Sequence, residues 1–122
     1  MNKPKRQGTA WETDVVQAFQ LHNLPAGRYP EGGSNDLGDV WVGEVYLPGD
    51  PLPTVTLAWK RLIGDGPRRQ PDGDRDVIVI GLGDFIELLT TDQPLSLAIE
   101  CKATQTLNVT RTLNQARKKI YG

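Results

Sequence analysis

The sequence predicts a mixed α/β fold in which a central β-sheet is flanked by helices. An amphipathic helical pattern comes first, several β-rich segments with short helical segments follow, and a second long helical pattern comes last. The 122 residues correspond to a single domain, residues 1–122, which is large enough to bury its own core. We therefore expect one sheet and one continuous fold.

The first segments are a tail, a helix and a glycine-rich loop. Residues 1–7 are expected to form a loose basic tail. A helix is predicted for residues 9–22, because Thr9 and Glu12 have the spacing of a capping box. Its apolar stripe consists of Trp11, Val15, Ala18 and Phe19. The Gly- and Pro-rich residues 23–33 then predict a loop with at most a short strand near Arg28.

Strands alternate with turns through the rest of the chain. Residues 40–47, 54–63, 75–82 and 95–103 are rich in β-branched and apolar residues and are predicted strands. The apolar run in the third of these predicts burial on both faces. A flexible loop is predicted for residues 64–74. Asp84 is expected to cap a short helix that ends at Leu89, and a terminal helix is predicted for residues 109–120.

The cysteine count and the lengths of the apolar runs indicate the cellular compartment. One cysteine excludes an internal disulfide, and we find neither a secretory signal nor an apolar run of about 20 residues. We expect a cytoplasmic protein without a membrane partner. The net charge is −1, yet basic residues dominate both ends of the chain and acidic residues its middle. Such ends are either solvated tails or a phosphate-binding rim.

The most informative motif is the Glu100-Cys101-Lys102 segment of the last predicted strand. Because strand side chains alternate, Glu100 and Lys102 share one face and Leu97, Ile99 and Cys101 the other. A carboxylate can bind Mg²⁺, and a neighbouring lysine can orient water or stabilise charge on a phosphate. The alternative is a solvent-facing ion pair that contributes little to the stability of the fold.

Two further acidic residues could join this pair. Asp39 follows a glycine-rich loop and begins a strand, so it either projects over the end of the sheet or closes the loop as an Asx turn. Glu12 lies beside the inward stripe of the first helix, at the helical spacing of Val15 and Phe19, but it is also the capping-box partner of Thr9. Metal-assisted phosphodiester hydrolysis needs several carboxylates and a charge stabiliser of this kind.

The order Gly8-x-x-x-Glu12, Gly38-Asp39-Val40, Ile99-Glu100-Cys101-Lys102 resembles the PD-(D/E)XK nucleases. It looks most like the archaeal-type Holliday junction resolvases and their phage and actinobacterial relatives. The resemblance covers residues 5–48 and 95–120. It implies a restriction-endonuclease-like core and a homodimeric, Mg²⁺-dependent endodeoxyribonuclease, with Mn²⁺ as a substitute, that cuts branched double-stranded DNA at four-way junctions.

The resemblance also implies roles for single residues. Glu12, Asp39, Glu100, Lys102 and Ser34 would be catalytic. The metal ligands would be Glu12, Asp39, Glu100 and the backbone carbonyl of Cys101. The DNA-binding residues would be Lys5, Arg6, Arg28, Ser34, Arg111, Gln115 and Lys118.

One segment departs from the family pattern. Residues 55–89 resemble a segment that follows the Glu-x-Lys strand in some relatives but precede that strand here. This leaves strand order and the dimer surface open. Three other functions also remain open: a restriction- or repair-type endonuclease of the same class, a non-catalytic DNA-binding module on the same fold, and an inert assembly subunit that binds neither DNA nor metal.

Overall fold

The computed structural model describes residues 3–29, 38–44, 52–62 and 76–121, with residues 3–9 described as helix backbone only. Along these residues the elements are α1 (Lys3–Gln20), β1 (Ala26–Arg28), β2 (Val40–Gly43), β3 (Thr54–Arg61), β4 (Asp76–Val79), α2 (Leu82–Thr90), β5 (Ser96–Thr104) and α3 (Val109–Tyr121). None of these helices combines the length and hydropathy needed to cross a membrane.

The five strands form one mixed sheet in the order β1-β2-β5-β3-β4. The pairs β1–β2, β2–β5 and β3–β4 are antiparallel, whereas β3 and β5 run parallel. Parallel neighbours require a crossover, and the described part of this one contains β4 and α2. The predicted mixed α/β class, with helices flanking the sheet, is therefore confirmed.

Helix α1 covers one face of the sheet. Its inward side presents Trp11, Val15 and Val16 to a cluster that includes Val40 and Ile99. The Trp11 indole Nε1–H donates a hydrogen bond of 3.1 Å to the Ala58 carbonyl, which fixes the helix over the central strands. Buried tryptophans need such a partner for their N–H.

Helix α3 covers the opposite face. Leu113, Ala116 and Ile120 recur at helical spacing and pack against Val55, Leu57 and Ala98. Strands β3 and β5 contribute to both clusters, so they form the doubly covered centre of the sheet. Successive side chains on β5 therefore face α1 and α3 in turn.

The start of α1 corrects the sequence-based prediction. The helix already begins at Lys3, so residues 3–7 are not a loose tail. Thr9 and Glu12 then lie inside the helix rather than in a capping box at its start. Pro4 is compatible with this, since proline is tolerated in a first helical turn, where its missing N–H has no helical partner to lose. The inward stripe also uses Val16, while Ala18 is exposed.

Strand β4 and helix α2 also differ from the prediction. The apolar run is not buried on both faces: β4 is an edge strand, and Val77 and Ile78 are 39% and 50% exposed. Helix α2 begins after Gly81, with no side-chain cap, and Asp84 pairs with Arg117 of α3 instead of capping. The predicted loop 64–74 and the predicted strand residues 45–47, 63 and 75 lie outside the described residues.

Candidate active site

The candidate site lies where β5 extends beyond the start of β2. Val40, the first residue of β2, pairs with Ile99, so β5 continues past the end of this ladder. Asp39 occupies that place. Its N–H donates to the Ile99 carbonyl at 3.0 Å, and its carboxylate Oδ2 accepts a 2.8 Å hydrogen bond from the Cys101 N–H. The carboxylate is thereby fixed at a stretch of β5 that no described strand covers, which we call the open edge of β5.

Gly38 allows this close approach. Its φ of 99° lies in the region that side chains rarely adopt. An added Cβ would lie 3.4 Å from both Ile99 O and Ile120 Cδ1. The glycine before Asp39 therefore lets the chain turn tightly against β5, which explains the Gly-Asp pair seen in the sequence.

Glu100 is the most buried carboxylate at this edge, with a side chain only 7% exposed. Its Oε1 lies 3.2 Å from Lys119 Nζ of α3. Burial raises the pKa of Glu100, the negative charge of Asp39 raises it further, and the Lys119 ammonium opposes both effects. Two acidic groups this close favour binding of a proton or a cation between them.

Glu12 approaches from the other face of the sheet. Its side chain is 13% exposed, and its Oε2 lies 3.7 Å from Arg28 Nη2. The expectation of an inward-facing carboxylate on α1 is met, and its charge is partly balanced by an arginine of β1.

Cys101 lies between the three carboxylates. Burial raises the pKa of its thiol well above the ordinary range, and the charges of Asp39, Glu12 and Glu100 add to this in that order. The thiol therefore stays protonated and is a poor nucleophile. Because the N–H and C=O of a strand residue point to the same side, the Cys101 carbonyl faces the edge where Asp39 lies.

Lys102 shares the Glu100 face by strand alternation and pairs in register with Trp59 of β3. It is half-buried. The predicted division of β5 is also seen at its start, where Ile99 joins the α1 cluster and Ala98 the α3 cluster. The Glu-x-Lys pair is thus on the face that α3 covers, next to the open edge.

The carboxylates of the described residues do not form a closed metal cage. Within the described ranges, no three His, Cys, Asp or Glu side chains are grouped closely enough to hold an ion. Asp39 and Glu100 are close enough for a shared hydrogen bond to contribute to the raised pKa of Glu100. These two side chains, with the Cys101 carbonyl, are the groups that could hold a hard cation here.

Lys119 was missed as a site residue by sequence reasoning. It lies three residues after the buried Ala116, so helical spacing brings it toward the sheet. That spacing was the available signal. The prediction chose Lys118 instead, which is exposed.

The predicted DNA-binding residues fall into four groups. Arg28 ends β1 and pairs with Glu12. Arg111, Gln115 and Lys118 are exposed on α3 at spacings of four and three residues, which places them on one side of the helix. Lys5 and Arg6 lie in α1, in the part described as backbone only. Ser34 lies outside the described residues.

No protein-family model, no curated protein and no solved structure matches the chain.

Proposed function

We propose that the protein is a metal-dependent, structure-selective DNA endonuclease of the PD-(D/E)XK class that resolves four-way junctions. The observation that carries the proposal is the Asp39–Glu100 pair at the open edge of β5, with Lys102 on the same face as Glu100. The sequence order suggested these residues, and the closeness of Asp39 to Glu100 beside the middle of β5 supports the proposal.

The chemistry follows from these groups. Asp39, Glu100 and the Cys101 carbonyl would hold Mg²⁺, or Mn²⁺ in its place, and the bound ion would polarise the phosphate and lower the pKa of a water. Lys102 would stabilise negative charge on the phosphate as the bond breaks. Glu12 would complete the acidic set from the α1 side, provided that substrate phosphates draw Arg28 away from it.

The DNA would lie along α3. Arg111, Gln115 and Lys118 offer two positive charges and an amide on one exposed side of this helix. Lys119, one residue further, contacts Glu100 and so links that side to the acidic pair. Phosphate contacts of this kind position a duplex without reading its sequence.

The proposal includes a homodimer, because symmetric cuts across a junction need two active sites. It also includes structure selectivity rather than base recognition.

The test is cleavage of a synthetic four-way junction with Mg²⁺, Mn²⁺ or chelator, with linear duplex and flap DNA in parallel. Asp39→Asn and Glu100→Gln should each lower the rate at least about a hundredfold. Asp92→Asn, an exposed residue outside the site, is the control and should cut like the parent. Parent-like cutting by both site variants would end the proposal, while preference for linear duplex or flap DNA would move it to another endonuclease of the class.

A further inference from the structure

Helix α2 carries an apolar stripe on its outer side. Leu82, Phe85, Ile86 and Leu89 follow the i, i+3, i+4, i+7 spacing of one helix face. They are 76%, 44%, 51% and 69% exposed, and none of the nine residues of α2 is buried. We call these four residues the α2 stripe. A short helix with this pattern is ordinarily expected to bury it.

Strand β4, at the edge of the sheet, directly precedes α2 in the sequence. Strand β4 ends at Val79, two residues before the N-cap of α2, and pairs with β3 on one side. Among the described strands, none pairs with its other side. Its Val77 and Ile78 are also exposed. Exposed apolar edge strands are sites of association unless they are covered.

We infer that a second copy of this chain covers the α2 stripe and the β4 edge, forming a two-fold symmetric dimer. Neighbouring strand residues face opposite sides of the sheet, so Val77 and Ile78 flank the β4 edge from its two sides and do not extend one face. The four residues of the α2 stripe alone present roughly 500 Å², taking about 150–220 Å² for each fully exposed residue. Isolated monomers rarely show a larger apolar patch, and a standard interface covers about 800 Å² per partner. The patch therefore supplies most of the area that a stable dimer needs.

The chemistry of the patch favours a second copy over DNA. The α2 stripe contains no charged residue, whereas a DNA-binding surface needs positive charge. The stripe is also self-complementary. In an antiparallel pair of α2 helices, Leu82 would pack against Leu89 of the partner subunit, and Phe85 and Ile86 would lie next to the axis.

This inference deepens the proposed function, since paired cuts need two sites, but its test measures mass and not cleavage. The full-length chain is examined by sedimentation equilibrium over a range of concentrations, without DNA or metal. The parent should sediment at twice the chain mass of 13.5 kDa. Leu82→Glu should raise the dimer dissociation constant by about thirtyfold or more.

The matched control is Leu21→Glu. Leu21 is 82% exposed, as accessible as Leu82, but it follows α1 and lies outside the patch. This variant should remain dimeric, and circular dichroism verifies that both variants are folded.

A second variant tests the geometry. Ile86→Cys should form a disulfide-linked dimer under mild oxidation, because this position lies near the axis, whereas Leu21→Cys should not. A monomeric parent, or a Leu82→Glu protein as dimeric as the parent, overturns the inference. A monomer that cuts junctions would refute the proposed dimer surface and leave the proposed nuclease activity standing. A dimer that never cuts DNA would refute the nuclease activity and leave the dimer surface standing.

Discussion

Replacing Glu100 with glutamine should stabilise the folded protein while abolishing cleavage. Glutamine keeps the size and the hydrogen-bonding capacity of the side chain but removes its charge. In the parent, that charge is 7% exposed and adjacent to a second carboxylate, Asp39. The substitution therefore asks whether the charge at this position costs stability.

The magnitude follows from three opposing effects. The Lys119 ion pair, at 3.2 Å, has a gross attraction of about 5 kcal/mol at an effective dielectric constant of about 20. Lys119 is 37% exposed, so solvent screening and side-chain entropy reduce its net contribution to about 1 kcal/mol or less. Desolvation of a buried carboxylate costs several kcal/mol, and repulsion from Asp39 adds to that cost. The charge on Glu100 therefore lowers the free energy of unfolding by about 1–2 kcal/mol.

The direction of the pKa shift gives the pH dependence. Burial and then Asp39 raise the pKa of Glu100, so the folded state binds a proton more tightly than the unfolded state. The parent thus gains stability as the pH falls through this raised pKa, and the gain is complete below the pKa of the unfolded chain. Glutamine is neutral throughout, so its advantage should be largest near pH 7.5 and vanish near pH 4.

Thermal unfolding in the presence of a chelator measures this effect. At pH 7.5, Glu100→Gln should raise Tm by about 3–6 °C for a domain of this size. Glu44→Gln removes the same charge from an exposed side chain and should leave Tm within about 1 °C. Adding Mg²⁺ should stabilise the parent and not the variant. A Glu100→Gln protein that melts below its parent at pH 7.5 would show that the Lys119 pair outweighs burial, and the reasoning would be refuted.

Two other predictions use matched substitutions. Gly43→Ala should destabilise the fold by about 2–4 kcal/mol in urea titrations, because Gly43 has φ 88° and an added Cβ would collide with the Leu95 carbonyl. Gly83→Ala, in α2 with open space around it, should instead stabilise by about 0.5–1 kcal/mol, and equal effects would refute both assignments. Lys119→Gln should tighten Mn²⁺ binding about tenfold in titration calorimetry, since it removes the competing ammonium, and Lys118→Gln should not. Unchanged Mn²⁺ affinity in the first variant would mean that the lysine does not compete with the ion.

Local patterns in the sequence predicted most of the fold. The periodicities of α1, α3 and β5 identified these elements to within a few residues, except at the start of α1. The errors occurred where tertiary position decides the outcome. The apolar run of β4 has the composition of a central strand, and only the strand order makes it an edge. The capping-box spacing of Thr9 and Glu12 can also occur in the interior of a helix. No local pattern showed that the helix starts six residues earlier.

The candidate site was predictable in part for the same reason. Strand alternation predicted Glu100 and Lys102 on one face, and the glycine-rich loop predicted Asp39 at the start of a strand, but the tight turn at Gly38 was not predicted. Lys119 depends on how α3 sits on the sheet, which no single-segment pattern contains.

Asp39 provides the sharpest separation between a structural and a catalytic interpretation. Its carboxylate accepts the Cys101 N–H, which is a sufficient structural role for this residue. Asparagine can accept the same hydrogen bond through its amide oxygen, so Asp39→Asn should keep the β5 edge and the folded stability to within about 1 kcal/mol. What asparagine lacks is the charge that a hard cation needs. Retained stability with lost cleavage would therefore assign the charge, and not the hydrogen bond, to the chemistry. Retained cleavage would leave Asp39 as a loop-closing residue without a catalytic role.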